Sequence, residues 1–228
     1  MLGFSIILSM FEDFIKNFVN FINFISPRRI QRIRKVLDKK SDFICIVLDN
    51  INQPHNVSAV LRSFEALGFI NVYVVEKNAS FKPVKGISNS AEKWLVIKKF
   101  KDYNECYDEL KNKGYRICVT VPYDETKNTT TPAEVSLTEK IAIIIGNEIE
   151  GVSNFFKEKA DIFMSIKTYG FVESLNLSVA CGIIIYELRK RIEESDRKFY
   201  LDSISKSKIF SKWIYNSLHF IKKTKNIN

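Results

Sequence analysis

Apolar residues along this 228-residue chain follow two alternating rhythms. Runs at 43–48, 72–76, 115–121 and 141–145 are rich in β-branched residues and have the length of strands buried on both faces. Between them, apolar residues recur three and four positions apart, the mark of a helix with one buried face. The clearest case covers 56–67, where Val57, Val60, Leu61, Phe64 and Leu67 share a face and Gly68 supplies the stop. Similar spacing predicts helices at 28–39, at 102–113, after Gly151 and from about 175, with a short strand around 161–166. TKNTTTP at 126–132 reads as a surface loop, and no internal repeat is visible. This alternation predicts an α/β domain on a mostly parallel sheet with helices on both faces.

Three segments carry polar residues that folding alone does not demand. PHNVSAVLRSFEALGF at 54–69 puts Asn56 and Arg62 near the start of a strand-helix-strand unit, about a turn and a half apart and, by expectation, roughly on the same side. A solvated helix cation is the plainer reading of Arg62. IAIIIGNEIEG at 141–151 ends a buried strand in a polar turn bracketed by Gly146 and Gly151, which lets backbone approach a ligand closely. No Gly-Lys-Ser/Thr follows, so it is no phosphate-gripping loop, and its glycine spacing is not that of a dinucleotide fingerprint. An ordinary strand-to-helix turn explains it equally well. IKTYGFVESLNLSVACGIIIYELRKR at 166–191 sets Ser174 and Asn176 just before a long helix. Capping is their usual job, yet one cap needs only one of Glu173, Ser174, Asn176 and Ser178.

Taken together, the wording, order and spacing of the three segments resemble the three motifs of SPOUT-class RNA methyltransferases of the TrmH (SpoU) branch, a likeness that runs over roughly 28–192. The resemblance implies a C-terminal deep trefoil knot, an exception to the rule that chains stay unknotted. It also implies S-adenosylmethionine as cofactor and a homodimer as the working unit. By the same correspondence, Arg62 is the base or activator of a ribose 2′-hydroxyl, Asn56 its support, Glu148 the motif 2 glutamate, and Ser174 and Asn176 a pair near the reacting groups. Cofactor contacts fall on Thr120, Gly146, Ile166 and Leu175, mostly through backbone. An arginine with a pKa above about 12 is an unusual base. Stabilisation of a developing alkoxide by Arg62, with water taking the proton, is the electrostatic alternative. The implied reaction is 2′-O-methylation of tRNA at guanosine 18 of the D-loop. Ribosomal RNA ribose methylation and a knotted RNA-binding protein without catalysis are the rivals.

Charge agrees with a polyanionic partner, and its distribution says more than its sum. The net charge is +9, with a pI near 9.3. Residues 27–40 contribute +6 and residues 189–228 contribute +7, which leaves the remainder of the chain at −4. In the first cluster Arg29 and Arg32 stand three apart, share a helical face, and match N-terminal arginines that contact tRNA in the TrmH group. Arg189 and Arg191 end the motif 3 helix, where a cation also suits the helix dipole. Contacts of this kind position RNA without reading bases.

Cys45, Cys106, Cys118 and Cys181 form no CxxC pair and read as buried free thiols of a reducing cytoplasm. With only His55 and His219, no histidine metal cluster is expected. Before residue 27, Phe11, Phe14, Ile15, Phe18, Ile22 and Ile25 line one helical face, while Glu12, Asp13 and Lys16 argue against a signal peptide or membrane span. Packing on the domain or on a partner protomer is the expectation there, ahead of membrane contact. The expected organisation is an amphipathic extension at 1–26, a methyltransferase domain at 27–192 and a basic helical extension at 193–228.

Overall fold

A computed structural model describes residues 25–77, 81–126, 128–196 and 199–225. The amphipathic extension expected at 1–26 therefore lies, but for its last two residues, outside the described residues.

Six strands form one sheet: β1 (Ile44–Asp49), β2 (Asn71–Val75), β3 (Val96–Phe100), β4 (Tyr115–Thr120), β5 (Lys140–Ile145) and β6 (Ile162–Met164). Their order is β3-β2-β1-β5-β4-β6, and every pairing is parallel. The two-residue pleat divides each central strand between two cores. Ile44, Ile46 and Leu48 of β1 join Ile141, Ile143 and Ile145 of β5 on one face, whereas Cys45, Val47, Ala142 and Ile144 face the other. Burial on both faces explains why these strands read as unbroken apolar runs.

The first core is covered by α2 (Pro54–Ala66) and α6 (Leu177–Glu194), which pack together, and the second by α4 (Tyr103–Asn112) and α5 (Asn154–Glu158). Pro54 occupies the first turn of α2, where a missing amide hydrogen costs nothing. Asp102 caps α4 by accepting the amides of Asn104 and Glu105 at 2.8 and 3.2 Å. At the other end of α2 the buried Lys40 ammonium donates to the Glu65 carbonyl at 2.6 Å, to Glu65 Oε1 at 2.8 Å and to the Phe69 carbonyl at 3.4 Å. All three of its protons are thereby used. A short helix α3 (Lys85–Ser88) and β3 follow β2.

β3 was not foreseen from the sequence. It is an outer strand whose apolar pattern is interrupted by the exposed Lys98 and Lys99, which pair with Glu109 at 3.0 Å and Glu76 at 3.1 Å.

The chain divides into two compact units. The sheet and the helices around it belong to Lys40–Tyr200. The other unit pairs α1 (Pro27–Leu37) with α7 (Ser203–Lys225). There Lys206 bonds Asp38 at 2.8 Å, Arg34 lies over the Phe210 ring, and Ile33, Leu37, Ile209, Trp213 and Ile214 are buried. No helix among the described residues is long and apolar enough to cross a membrane.

Candidate active site

In a parallel sheet, ligands collect at the carboxyl ends of the strands, where loops leave for the covering helices. A cavity of about 690 Å³ opens there, beyond the ends of β4, β5 and β6, lined by parts of the second and third segments and by Asn56 of the first. Thr120, Gly146, Ile166 and Leu175, the four positions expected to hold a cofactor, all line it.

The 146–152 loop has a shape that its sequence imposes. Asn147 and Gly151 pair backbone to backbone at 3.2 and 3.1 Å, and the Asn147 side chain accepts the amides of Ile149 and Glu150 at 2.9 and 2.7 Å. Gly151 takes φ +69°, a conformation that favours glycine. A Cβ on Gly146 would stand 2.1 Å from the Gly151 carbonyl carbon and the Val152 nitrogen, so nothing larger fits. Thr120 ties β4 to β5 by donating its hydroxyl to the Ile144 carbonyl at 2.9 Å.

At the mouth of this cavity the three segments meet. Asn56, buried in the first turn of α2, donates from Nδ2 to Glu148 at 2.5 Å and to Gln53 Oε1 at 3.0 Å. Its Oδ1 accepts from Asn176 Nδ2 at 3.3 Å. Asn176 in turn caps α6, with Oδ1 accepting from the Ser178 and Val179 amides at 2.9 and 3.4 Å. Capping and site-building are thus done by one side chain. Ser174 lines the cavity beside it. Gln53, which the sequence reading missed, fixes the second amide hydrogen of Asn56; its position just before the helix was the available signal.

Arg62 is placed differently from the expectation. Six residues at about 100° each leave it roughly 120° around α2 from Asn56. It does not line the cavity; it is exposed, and Nη1 reaches the Ile87 carbonyl at a long 3.5 Å. Among the RNA candidates, Arg32 is exposed on α1 and Arg29 is partly covered. Arg189 is bound to Glu193 and sits over the Tyr200 ring, and Arg191 donates to the Pro132 carbonyl at 2.8 Å.

Three carboxylates, Glu148, Glu150 and Glu173, line the cavity against one lysine, Lys157. With the close backbone approach at Gly146, this suits a ligand carrying positive charge, as a sulfonium does.

The chain matches the SpoU rRNA Methylase family over residues 44–186. It belongs to that family. This SpoU methylase is 34% identical, over 84% of its length and 90% of the relative's, to the tRNA (guanosine(18)-2′-O)-methyltransferase of Aquifex aeolicus. It is 30% identical to the enzyme of the same name from Borreliella burgdorferi, over 90% and 92% of the two chains. Among solved structures, the A. aeolicus TrmH/SpoU tRNA modifying enzyme superposes with a TM-score of 0.73 at 33% identity, covering 83% of this chain and 96% of that one. The fold of this SpoU methylase is also that of AviRb from Streptomyces viridochromogenes, solved with AdoMet (TM-score 0.61, 22% identity, 71% and 65% covered).

Proposed function

We propose that this SpoU methylase transfers a methyl group from S-adenosylmethionine to a ribose 2′-hydroxyl of tRNA, at guanosine 18 of the D-loop. The observation that carries the reading is the hydrogen-bonded link from Glu148 through Asn56 to Asn176. It joins three segments far apart in sequence at the mouth of a cavity that suits the cofactor. The substrate follows from relatives named for guanosine 18 of tRNA.

The cofactor, when bound, supplies an electrophilic methyl on a sulfonium. Gly146, Ile166 and Leu175 would hold it chiefly through backbone, Thr120 by its side of the cavity, and the lining carboxylates favour its charge. Asn56, with both amide hydrogens and its carbonyl engaged, is pre-oriented, so little reorganisation remains for the reacting step. Asn176 bonds it, and Ser174 lines the same cavity. Arg62, on another face of α2, is assigned to the RNA, where its free donors suit a phosphate or a developing alkoxide.

The deep trefoil knot, the homodimer and a cytoplasmic site of action belong to the same reading. For the dimer, α6 presents Val179, Ile183 and Tyr186 on one exposed stripe, beside an open cavity of about 770 Å³ also lined by Pro132 and Tyr169. A contiguous apolar stripe of that kind is a face for a second copy. For RNA, Arg29 and Arg32 are joined by the exposed Arg28 and Lys35 of α1, with Arg189 and Arg191 exchanging their internal partners for phosphate.

The test is transfer of labelled methyl from S-adenosylmethionine to an unmodified tRNA transcript and, separately, to ribosomal RNA, with the product digested to nucleosides. Labelled 2′-O-methylguanosine from tRNA is expected. Label in ribosomal RNA alone would shift the substrate, and tight tRNA binding with no label in either would favour a non-catalytic RNA-binding role.

A further inference from the structure

Behind the cofactor loop lies a buried polar group that the proposed reaction does not use. Asp49 ends β1, one position beyond the Leu48 and Ile145 pair, and is 1% exposed. Its Oδ2 accepts the Ser153 amide at 2.7 Å. Its Oδ1 and the Ser153 hydroxyl are both buried, with the Tyr103 side chain close enough to act on both. Ser153 is the residue at which the 146–152 loop ends and α5 begins. Tyr103, beside Asp49 and Ser153, also holds α5: it stacks on Phe155 at 5.3 Å and meets Phe156 edge-on at 5.7 Å.

A carboxylate in such a place is costly, because burial opposes its charge, and a hydrophobic residue would fill the volume more cheaply. What it supplies is a fixed acceptor for one amide, and that amide sets where the loop returns. The loop has two anchors. One is local, the backbone pairing of Asn147 with Gly151. The other reaches across 104 residues of sequence to the end of β1. Val152, between the two, lines the cavity, as does Lys157 one turn into α5.

We propose that Asp49 is the positioning residue of the cofactor loop: by holding the Ser153 amide it sets the curvature of 146–152 and with it the affinity for S-adenosylmethionine, while leaving RNA binding alone. This rests on the functional reading above.

Two variants remove the bond from opposite sides. Asp49→Ala deletes the acceptor. Ser153→Pro deletes the donor at a residue whose φ of −57° suits proline. Asp49→Asn keeps an acceptor oxygen and is the rescue. Dissociation constants for S-adenosylmethionine by calorimetry and for tRNA by filter binding are measured on the full chain. The expected result is cofactor binding weakened about tenfold or more in Asp49→Ala and Ser153→Pro, recovery to within about threefold in Asp49→Asn, and tRNA affinity unchanged. Cofactor affinity within about twofold of wild type in both variants, or a parallel loss of tRNA binding, overturns the proposal. If Asp49→Ala does not fold, Ser153→Pro decides. Failure of the wild-type chain to bind S-adenosylmethionine would instead overturn the functional reading, and this inference with it.

Discussion

Asn56 shows how much chemistry one amide can organise. It bonds Glu148, Gln53 and Asn176 at once, and a hydrogen bond to a charged partner contributes about 1.5–3 kcal/mol. Asn56→Ala is expected to slow methyl transfer about a hundredfold or more in single turnover, with cofactor affinity changed by less than about threefold. Gly146→Ala has the opposite profile: its added methyl meets backbone at 2.1 Å, so cofactor binding fails first, as calorimetry would read. Asp49 adds a pH signature. Burial raises its carboxyl above the ordinary range, so the folded state binds that proton more tightly than the unfolded chain. Its contribution to stability is full at low pH and declines as pH rises through the raised pKa. Asp49→Asn removes the ionisation, so its melting temperature gains on the wild type as pH rises from about 4 through the raised pKa. A constant difference across that range would contradict the assignment. The residue types of the site were legible in the sequence, because polar side chains at strand ends and helix starts are conspicuous. Their pairing was not: Asn56 and Glu148 are 92 positions apart, and no local pattern encodes that contact. Arg62 does not share the Asn56 side of its helix, because six residues make about 1.7 turns and leave the two side chains roughly 120° apart.

Elements were read as well as their burial allowed. β1, β2, β4 and β5 declared themselves as apolar runs because both their faces are covered, whereas β3 was hidden by its outer position and two exposed lysines. α6 was foreseen from about residue 175 and begins at Leu177, with Asn176 as its cap. One local anchor was invisible beforehand: Lys40, read as part of a basic cluster, is 1% exposed and closes the end of α2. Burial lowers its pKa, opposed by the Glu65 carboxylate. Lys40→Met leaves three acceptors without a donor and is expected to cost about 3 kcal/mol in urea unfolding. A loss below about 1 kcal/mol would show that the carbonyls find other partners. The exposed stripe on α6 makes a separate prediction. Tyr186→Glu is expected to give a monomer by sedimentation while the fold persists; an unchanged dimer would remove that face from the interface.

At the scale of the whole molecule, charge and chemistry are divided between different parts of the chain. The stretch that builds the site is net acidic, and the basic residues are gathered at the two ends. Arg28, Arg32 and Lys35 are exposed at four- and three-residue spacing on α1, the arrangement of a phosphate-tracking face. Replacing all three by alanine is expected to weaken tRNA binding and to flatten its salt dependence by roughly 0.7 to 0.9 in logarithmic slope per lost contact. An unchanged slope would place the RNA elsewhere. The proposed function is one reaction at one atom, and the most direct test uses two tRNA transcripts that differ only in the 2′-hydroxyl of nucleotide 18. Labelled methyl is predicted to pass from S-adenosylmethionine to the complete transcript and not to its deoxy partner. Equal labelling of the two would contradict the assigned atom.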